Sequence, residues 1–330
     1  MSVLPVSSST LSATHLTIFL QKKYALSGAT TCALLRTGMN DLYKVTDGSA
    51  KFVFRVYTRD WRTKTEILEE LRLLIHLKEN KIPVSYPIEA IQGYFIQELK
   101  APEGLRYAVL FSFAEGEKIP HFTVQASYHA GKVMGSMHHM IRNFSLKRVN
   151  YDRETLFVQS LKRIKTVFKT PSPSLVFIER MGVYLTSWHS TIPKDSIPTG
   201  AIHFDIWFDN MHFTPDDGLV LFDFDFCGNG WLSYDVSYFL YQLFHTHPEV
   251  TDYEQKASAF LKGYGEHHQL SNEEMALLPK ACLSMMLFYI GVQCYRFDWS
   301  NIFLNDHHLQ RMCGIMKKWM RYHKIVLPEN

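Results

Sequence analysis

Apolar residues along the chain change their period several times, and each change marks an element. Residues 10–26 (TLSATHLTIFLQKKYAL) carry a helical spacing with Thr10 or Ser12 placed to cap it. The period then shortens. Segments 32–37, 42–46 (LYKVT) and 51–57 (KFVFRVY) are β-rich, and Asp47-Gly48 between the last two predicts a tight hairpin. Residues 62–80 return to a helix with Ile67, Leu68, Leu71, Leu74 and Ile75 on one face. Strands follow at 91–98 and 105–113. From there the chain is mostly helical: 123–141 with Ala126, Ala130, Val133, Met137 and Met140 inward, then 152–168, 174–191, 235–246, 251–265, 272–297 and 302–323. Between 200 and 226 two short apolar runs flank Asp216-Asp217-Gly218, a second hairpin signal. The order is a mixed α/β lobe over 1–115 and a larger helical lobe over 116–330.

Composition narrows the class. With 46% hydrophobic and 20% charged residues over 330 positions, the chain can bury a large core and is not disordered. Thirty-five basic and 32 acidic side chains leave a net charge of +3, which argues against a dominant nucleic-acid footprint. The five cysteines (32, 227, 282, 294 and 313) form no C-x-x-C pair and are odd in number. The missing pair removes a zinc signature, and the odd number argues against a complete disulfide framework and points to a reducing, cytoplasmic setting. Apolar stretches such as 281–295 fall short of the ~20 residues that span a bilayer, so no membrane partner is expected. Three adjacent histidine pairs lack the spacing of a zinc site.

The chemistry concentrates in 201–235. His203-Phe204-Asp205-Ile206-Trp207-Phe208-Asp209-Asn210 is an H-x-D-x-x-x-x-N pattern, and Asp223 follows Asn210 by thirteen residues at the end of the apolar run LVLF. Phosphoryl transfer calls for such a set: one carboxylate to orient the attacking hydroxyl, and an amide oxygen and a second carboxylate to hold Mg²⁺ against nucleotide phosphates. Asp205 is the candidate catalytic residue, and Asn210 and Asp223 the candidate metal ligands. Asp225 is a candidate auxiliary ligand, placed on the same side as Asp223 by strand alternation. Asp209 reads as a loop-capping residue.

These residues resemble the aminoglycoside phosphotransferase/choline kinase family, whose members show H-G-D-x-x-x-x-N, an apolar strand ending in Ile-Asp, a Gly, then Tyr-Asp-Leu. Here the counterparts are His203 to Asn210, Phe222-Asp223, Gly228 and Tyr234-Asp235-Val236. The likeness covers almost the whole chain, GSMHHM (135–140) being similar to a helix end ahead of the catalytic loop. It implies an α+β, protein-kinase-like bilobal fold, with a small β-rich N-lobe that binds nucleotide and a larger helical C-lobe. It further implies ATP and Mg²⁺ as cofactors, with His203 and Asp235 supporting the loop. GMNDLYKV (38–45) is similar to the nucleotide-covering turn, which brings in Asn40. Arg55 falls where relatives place a phosphate-binding Lys, though a solvent-facing strand residue is the other reading. Glu69 and Glu70 are both candidate partners for it, and the family's helix favours Glu70. The strand YAVLFSF resembles the adenine hinge, with backbone groups of Ser112, Phe113 and Ala114. Phe204 departs from the family's Gly and is expected to narrow the acceptor side.

The resemblance implies an ATP-dependent transfer to the hydroxyl of a small molecule: an amino alcohol, an aminoglycoside-like or a sugar-like acceptor. Segment 52–70 is also similar to the bacterial stress-response Ser/Thr kinase, and 234–236 to homoserine kinases. A protein kinase of the same fold is therefore the alternative, and a pseudokinase-like nucleotide-binding module a third. A homodimer is the candidate assembly. Residues 241–330 hold nine acids and nine bases, so no acidic pocket for a polycation stands out. With the helix that leads into them, they are rich in aromatics. Tyr238, Tyr241, Phe288, Tyr289, Tyr295, Phe297, Trp299 and Phe303 are mostly expected in helix core, with a few lining an acceptor pocket.

Overall fold

The computed structural model describes residues 4–119, 121–193, 196–216, 218–247, 249–296 and 302–328. Two compact units emerge: 1–116 together with 220–222, and 117–219 together with 223–330.

The first unit is built on a five-stranded antiparallel sheet in the order β1-β2-β3-β5-β4. Its strands are β1 (Thr31–Arg36), β2 (Asn40–Asp47), β3 (Ala50–Tyr57), β4 (Ile96–Ala101) and β5 (Gly104–Ser112). Asp47 pairs with Ala50 across the predicted hairpin, and Gly48 supplies the positive φ of +60° that the turn needs. Helix α1 (Ala13–Tyr24) is capped by Ser12 and sets Leu16 and Leu20 against Tyr43, Val45, Phe54 and Val56. Helix α2 (Lys64–Glu79) starts in a capping box between Thr63 and Glu66. Its buried face holds Ile67, Leu71 and Leu74 as expected, but it takes Leu77 as well and leaves Ile75 half-buried. Leu68 is 49% exposed, because Leu73 and the carboxylate of Glu70 fill the inward arc instead. Strand β4 begins five residues later than its sequence pattern suggests, since Gly93 at φ +79° turns the chain and leaves Ile91 and Tyr94 in solvent.

In the second unit the helices are α3 (Val124–Ile141), α4 (Gln159–Val167), α5 (Pro173–Thr191), α6 (Ser233–Thr246), α7 (Val250–Tyr264), α8 (Asn272–Arg296) and α9 (Asp306–Tyr322). The inward face of α3 is rotated from the expected one, with Met134 and Ile141 buried in place of Val133 and Met140. Its backbone lies directly on α7. A Cβ added at Gly131 would meet the Phe260 carbonyl oxygen at 1.9 Å, and one at Gly263 the Tyr128 carbonyl oxygen at 2.1 Å. Only glycine permits that approach. Helix α8 corrects the expectation about apolar length. It runs 25 residues through Pro279, long and apolar enough to cross a membrane, but 72% of its most apolar stretch is buried within the protein. It is a core helix packed on α4 and α6.

Four short strands carry the loops of interest. β6 (Thr199–Ile202) pairs with β9 (Gly228–Trp231), and β7 (Met211–Phe213) with β8 (Leu219–Leu221). All five cysteines are free thiols.

Candidate active site

β6 delivers the chain into 203–210, a 3₁₀ turn at Phe208–Asn210 ends the loop, and β7 leads away. The loop is braced from α6. The Asp235 carboxylate is fully buried and accepts the backbone N–H groups of His203 at 2.9 Å and Phe204 at 2.7 Å. Its Oδ2 also lies 3.1 Å from His138 Nε2, and His138 Nδ1 lies 2.7 Å from the Tyr264 hydroxyl. A buried chain of polar groups thus links α3, α6 and α7 behind the loop. His203 is fully buried against Phe224, and its Nδ1 accepts the Asp205 N–H at 3.2 Å.

Asp205 is partly buried, with both carboxylate oxygens engaged. Asn210 Nδ2 donates to Oδ2 at 2.8 Å and to the Asp205 backbone carbonyl at 2.9 Å, while the Tyr289 hydroxyl donates to Oδ1 at 2.8 Å. Burial holds the Asp205 carboxyl well above the usual carboxylate range, and the charge of Asp223 adds to this. The bonds from Tyr289 and Asn210 pull the other way.

Asp223 follows β8 in a left-handed conformation at φ +63°, and Phe204 is held at φ +64°. Non-glycine residues reach that region only where the surroundings over-determine them. The left-handed backbone at 204 explains why a Gly is the simpler solution there. Phe204 tolerates it by packing. The ring is fully buried, stacked 3.6 Å from Tyr151 and edge-on to Phe288. Asp225 is placed otherwise than strand alternation suggests. Residues 224–226 form a 3₁₀ turn, the Asp225 side chain is buried, and its backbone carbonyl accepts Arg148 at 2.5 Å. Asp209 is no loop cap: it accepts an ion pair from Lys118 at 3.0 Å.

In the first unit Arg55 is buried at 6% exposure, which removes the solvent-facing reading. Its Nη1 meets Glu70 Oε1 at 2.7 Å, and its guanidinium lies over the Phe111 ring at 4.9 Å. Glu70 Oε2 accepts the Tyr57 hydroxyl at 3.1 Å. Glu69 pairs with Arg72 on the outer face. Asn40 opens β2, and its Oδ1 accepts the Thr58 N–H at 3.2 Å. Ser112 has its N–H on the Tyr86 carbonyl and its carbonyl on the Ser85 hydroxyl. Both backbone groups of Ser112, one of the expected adenine contacts, are thus engaged within the first unit. Phe297 and Trp299 lie outside the described residues.

The sequence did not single out Tyr289 as a partner of the 203–210 loop. It sits 84 positions from Asp205, on α8, and no spacing rule connects them.

Residues 36–270 match the phosphotransferase enzyme family (APH). The chain belongs to that family. It is a phosphotransferase with an alcohol group as acceptor. The homoserine kinase of Bradyrhizobium diazoefficiens is 28% identical over 80% of this chain and 77% of its own length. Among solved structures, an amicoumacin kinase in complex with AMP-PNP, Ca²⁺ and Ami superposes with a TM-score of 0.76 at 20% identity, covering 94% of this chain and 93% of that one. A microcompartment-associated aminopropanol kinase gives 0.75 at 18% identity, over 96% and 99%. The kinase-like fold expected of this phosphotransferase is the one observed.

Proposed function

We propose that this phosphotransferase moves the γ-phosphoryl group of ATP to the hydroxyl of a small molecule. The observation that carries the reading is the arrangement around Asp205: a carboxylate held from both sides, on a loop fixed by Asp235, with Asn210 and the charge of Asp223 beside it. Asp205 would orient the acceptor hydroxyl and take its proton late in the transfer.

The donor set fits Mg²⁺. Asn210 uses its amide nitrogen on Asp205, which leaves its carbonyl oxygen as the donor for a metal, and Asp223 adds a hard carboxylate oxygen. Asp223 adds to the upward push that burial exerts on the Asp205 carboxyl, and a cation beside the two carboxylates would relieve that repulsion. Bound there, Mg²⁺ would supply charge neutralisation on the transferred phosphate. Arg55, fixed by Glu70, presents a guanidinium suited to a phosphate, and Phe113 and Ala114 are the proposed adenine contacts.

The homoserine kinases among its relatives favour a small acceptor over a protein one, and a homoserine-like amino alcohol first among the small acceptors. ADP release from ATP·Mg²⁺ across a panel of L-homoserine, 1-amino-2-propanol, sugars and aminoglycosides tests this. One acceptor should stimulate release, and Asp205→Asn should lower it about 10²–10⁴-fold with nucleotide affinity kept. A panel on which none of the compounds stimulates release, while a protein substrate does, would replace this reading with the protein-kinase one.

A further inference from the structure

The hydroxyl of Tyr289 touches two consecutive points of the catalytic loop: the Phe204 carbonyl oxygen at 2.7 Å and Asp205 Oδ1 at 2.8 Å. On the other side of the same residue, the Phe204 N–H is held by Asp235 Oδ1 at 2.7 Å. Phe204 therefore keeps its left-handed backbone with both flanking peptide groups tied to side chains from other helices, α6 on one side and α8 on the other. Tyr289 is itself fixed by rings. It stacks on Tyr238 at 5.5 Å and 21°, and lies against Phe226 at 5.5 Å. A phenol with two torsions, locked by such packing, is a rigid strut.

We infer that Tyr289 is a positioning residue for phosphoryl transfer, its hydroxyl setting the Phe204–Asp205 backbone and the direction of the Asp205 carboxylate. The inference rests on the catalytic reading of Asp205 given above. Asn210 holds the second carboxylate oxygen, so the carboxyl plane is fixed by one contact from within the loop and one from α8. With the α8 contact removed, Asp205 keeps the Asn210 bond but can rotate about it. Misdirection of a reacting group by about an ångström costs on the order of 10²-fold in rate.

Tyr289→Phe keeps the ring and removes only the oxygen. The readout is ADP release from ATP·Mg²⁺ with L-homoserine, 1-amino-2-propanol or water as acceptor, whichever the wild-type protein turns over. We expect kcat to fall about 10- to 100-fold, with the nucleotide KM within twofold of wild type and the far-ultraviolet circular dichroism unchanged. In an Asp205→Asn background the same substitution should have no further effect on kcat, since Tyr289 acts through Asp205. An unchanged kcat in Tyr289→Phe, or an equal fold-loss in both backgrounds, overturns the inference. If Asp205→Asn alone retains full turnover, it is the catalytic reading that falls.

Discussion

Two carboxylates two positions apart, Asp223 and Asp225, differ in what surrounds them. Asp223 stands at the end of β8 and is partly exposed, whereas Asp225 is buried in the following 3₁₀ turn. A Mg²⁺ ion keeps several waters and takes one or two protein oxygens, so it suits the more open group. Asp223→Ala should abolish both the Mg²⁺-dependent tightening of ATP binding and turnover, and Asp225→Ala should weaken them less. Calorimetric ATP titrations at several Mg²⁺ concentrations decide the order, and a larger loss at Asp225 reverses the assignment. Phe204 poses a question of magnitude. Replacing it with Gly relieves about 1 kcal/mol of left-handed backbone strain. It also empties a fully buried aromatic site, at about 3–5 kcal/mol. The cavity wins, so Phe204→Gly should lose about 2–4 kcal/mol of stability in urea unfolding, although Gly is the family's own residue. The pairing of Asp205 with Asn210 was legible because the two stand five positions apart within one loop, and the roles proposed for them rest on that spacing. Tyr289 and the burial of Phe204 were not, because both depend on α8, whose register against the loop no local pattern encodes.

At the scale of elements, most helices and the first-unit strands were legible from periodicity and caps. Errors collected where one residue tilts a face. Leu68 and Val133 satisfy the helical spacing, but the partner surface selects Leu73 and Met134. The closeness of α3 to α7 was hidden for a related reason. Gly131 and Gly135 stand four apart, yet their use depends on Gly263 more than a hundred residues away. That contact is stringent. A methyl group at Gly131 would have to push a backbone carbonyl rather than a side-chain tip, so Gly131→Ala should destabilise the protein despite the gain in helix propensity of ~1 kcal/mol. We expect a net loss of about 1–3 kcal/mol, seen as a lower Tm, with Gly314→Ala on α9 neutral or stabilising because nothing lies within 4 Å of its Cβ position. Equal melting temperatures for the two variants would refute the close-packing argument.

For the whole molecule, the response to acid follows from its histidines. Burial lowers His189, His245, His247, His308 and, furthest, His323, which is held down to about 4. In the unfolded chain these imidazoles protonate near 6.5. Between that value and their folded values the unfolded state binds more protons, so stability is complete above pH ~6.5 and declines as the pH falls toward 4. Asp205, raised in the fold, works in the opposite sense, but it is one group against five. Tm should therefore be flat between about pH 7 and 8 and drop below 6.5, and above 8 the thiols of Cys32, Cys282, Cys294 and Cys313, which burial raises in the fold, lower it again. His323→Phe keeps the ring contacts that His323 makes with Trp319 at 4.1 Å and Tyr322 at 4.8 Å, and should flatten part of that drop. An unaltered slope in this variant would mean that other groups drive the acid response.

Residues 220–222 belong to the first unit through two hydrogen bonds, Leu221 N–H to the Pro83 carbonyl and Ser85 N–H to the Leu221 carbonyl, both at 2.9 Å. On the ribosome this makes the first unit a latecomer to its own completion. Met1–Gly116 are synthesised roughly a hundred residues before Val220 appears, an interval of about 5–20 s at ordinary elongation rates. Through that interval the edge at Pro83–Ser85 offers its backbone groups to water or to a chaperone. The first unit therefore completes its backbone pairing only after about half of the second has been made, and the residue next to the returning segment is Asp223.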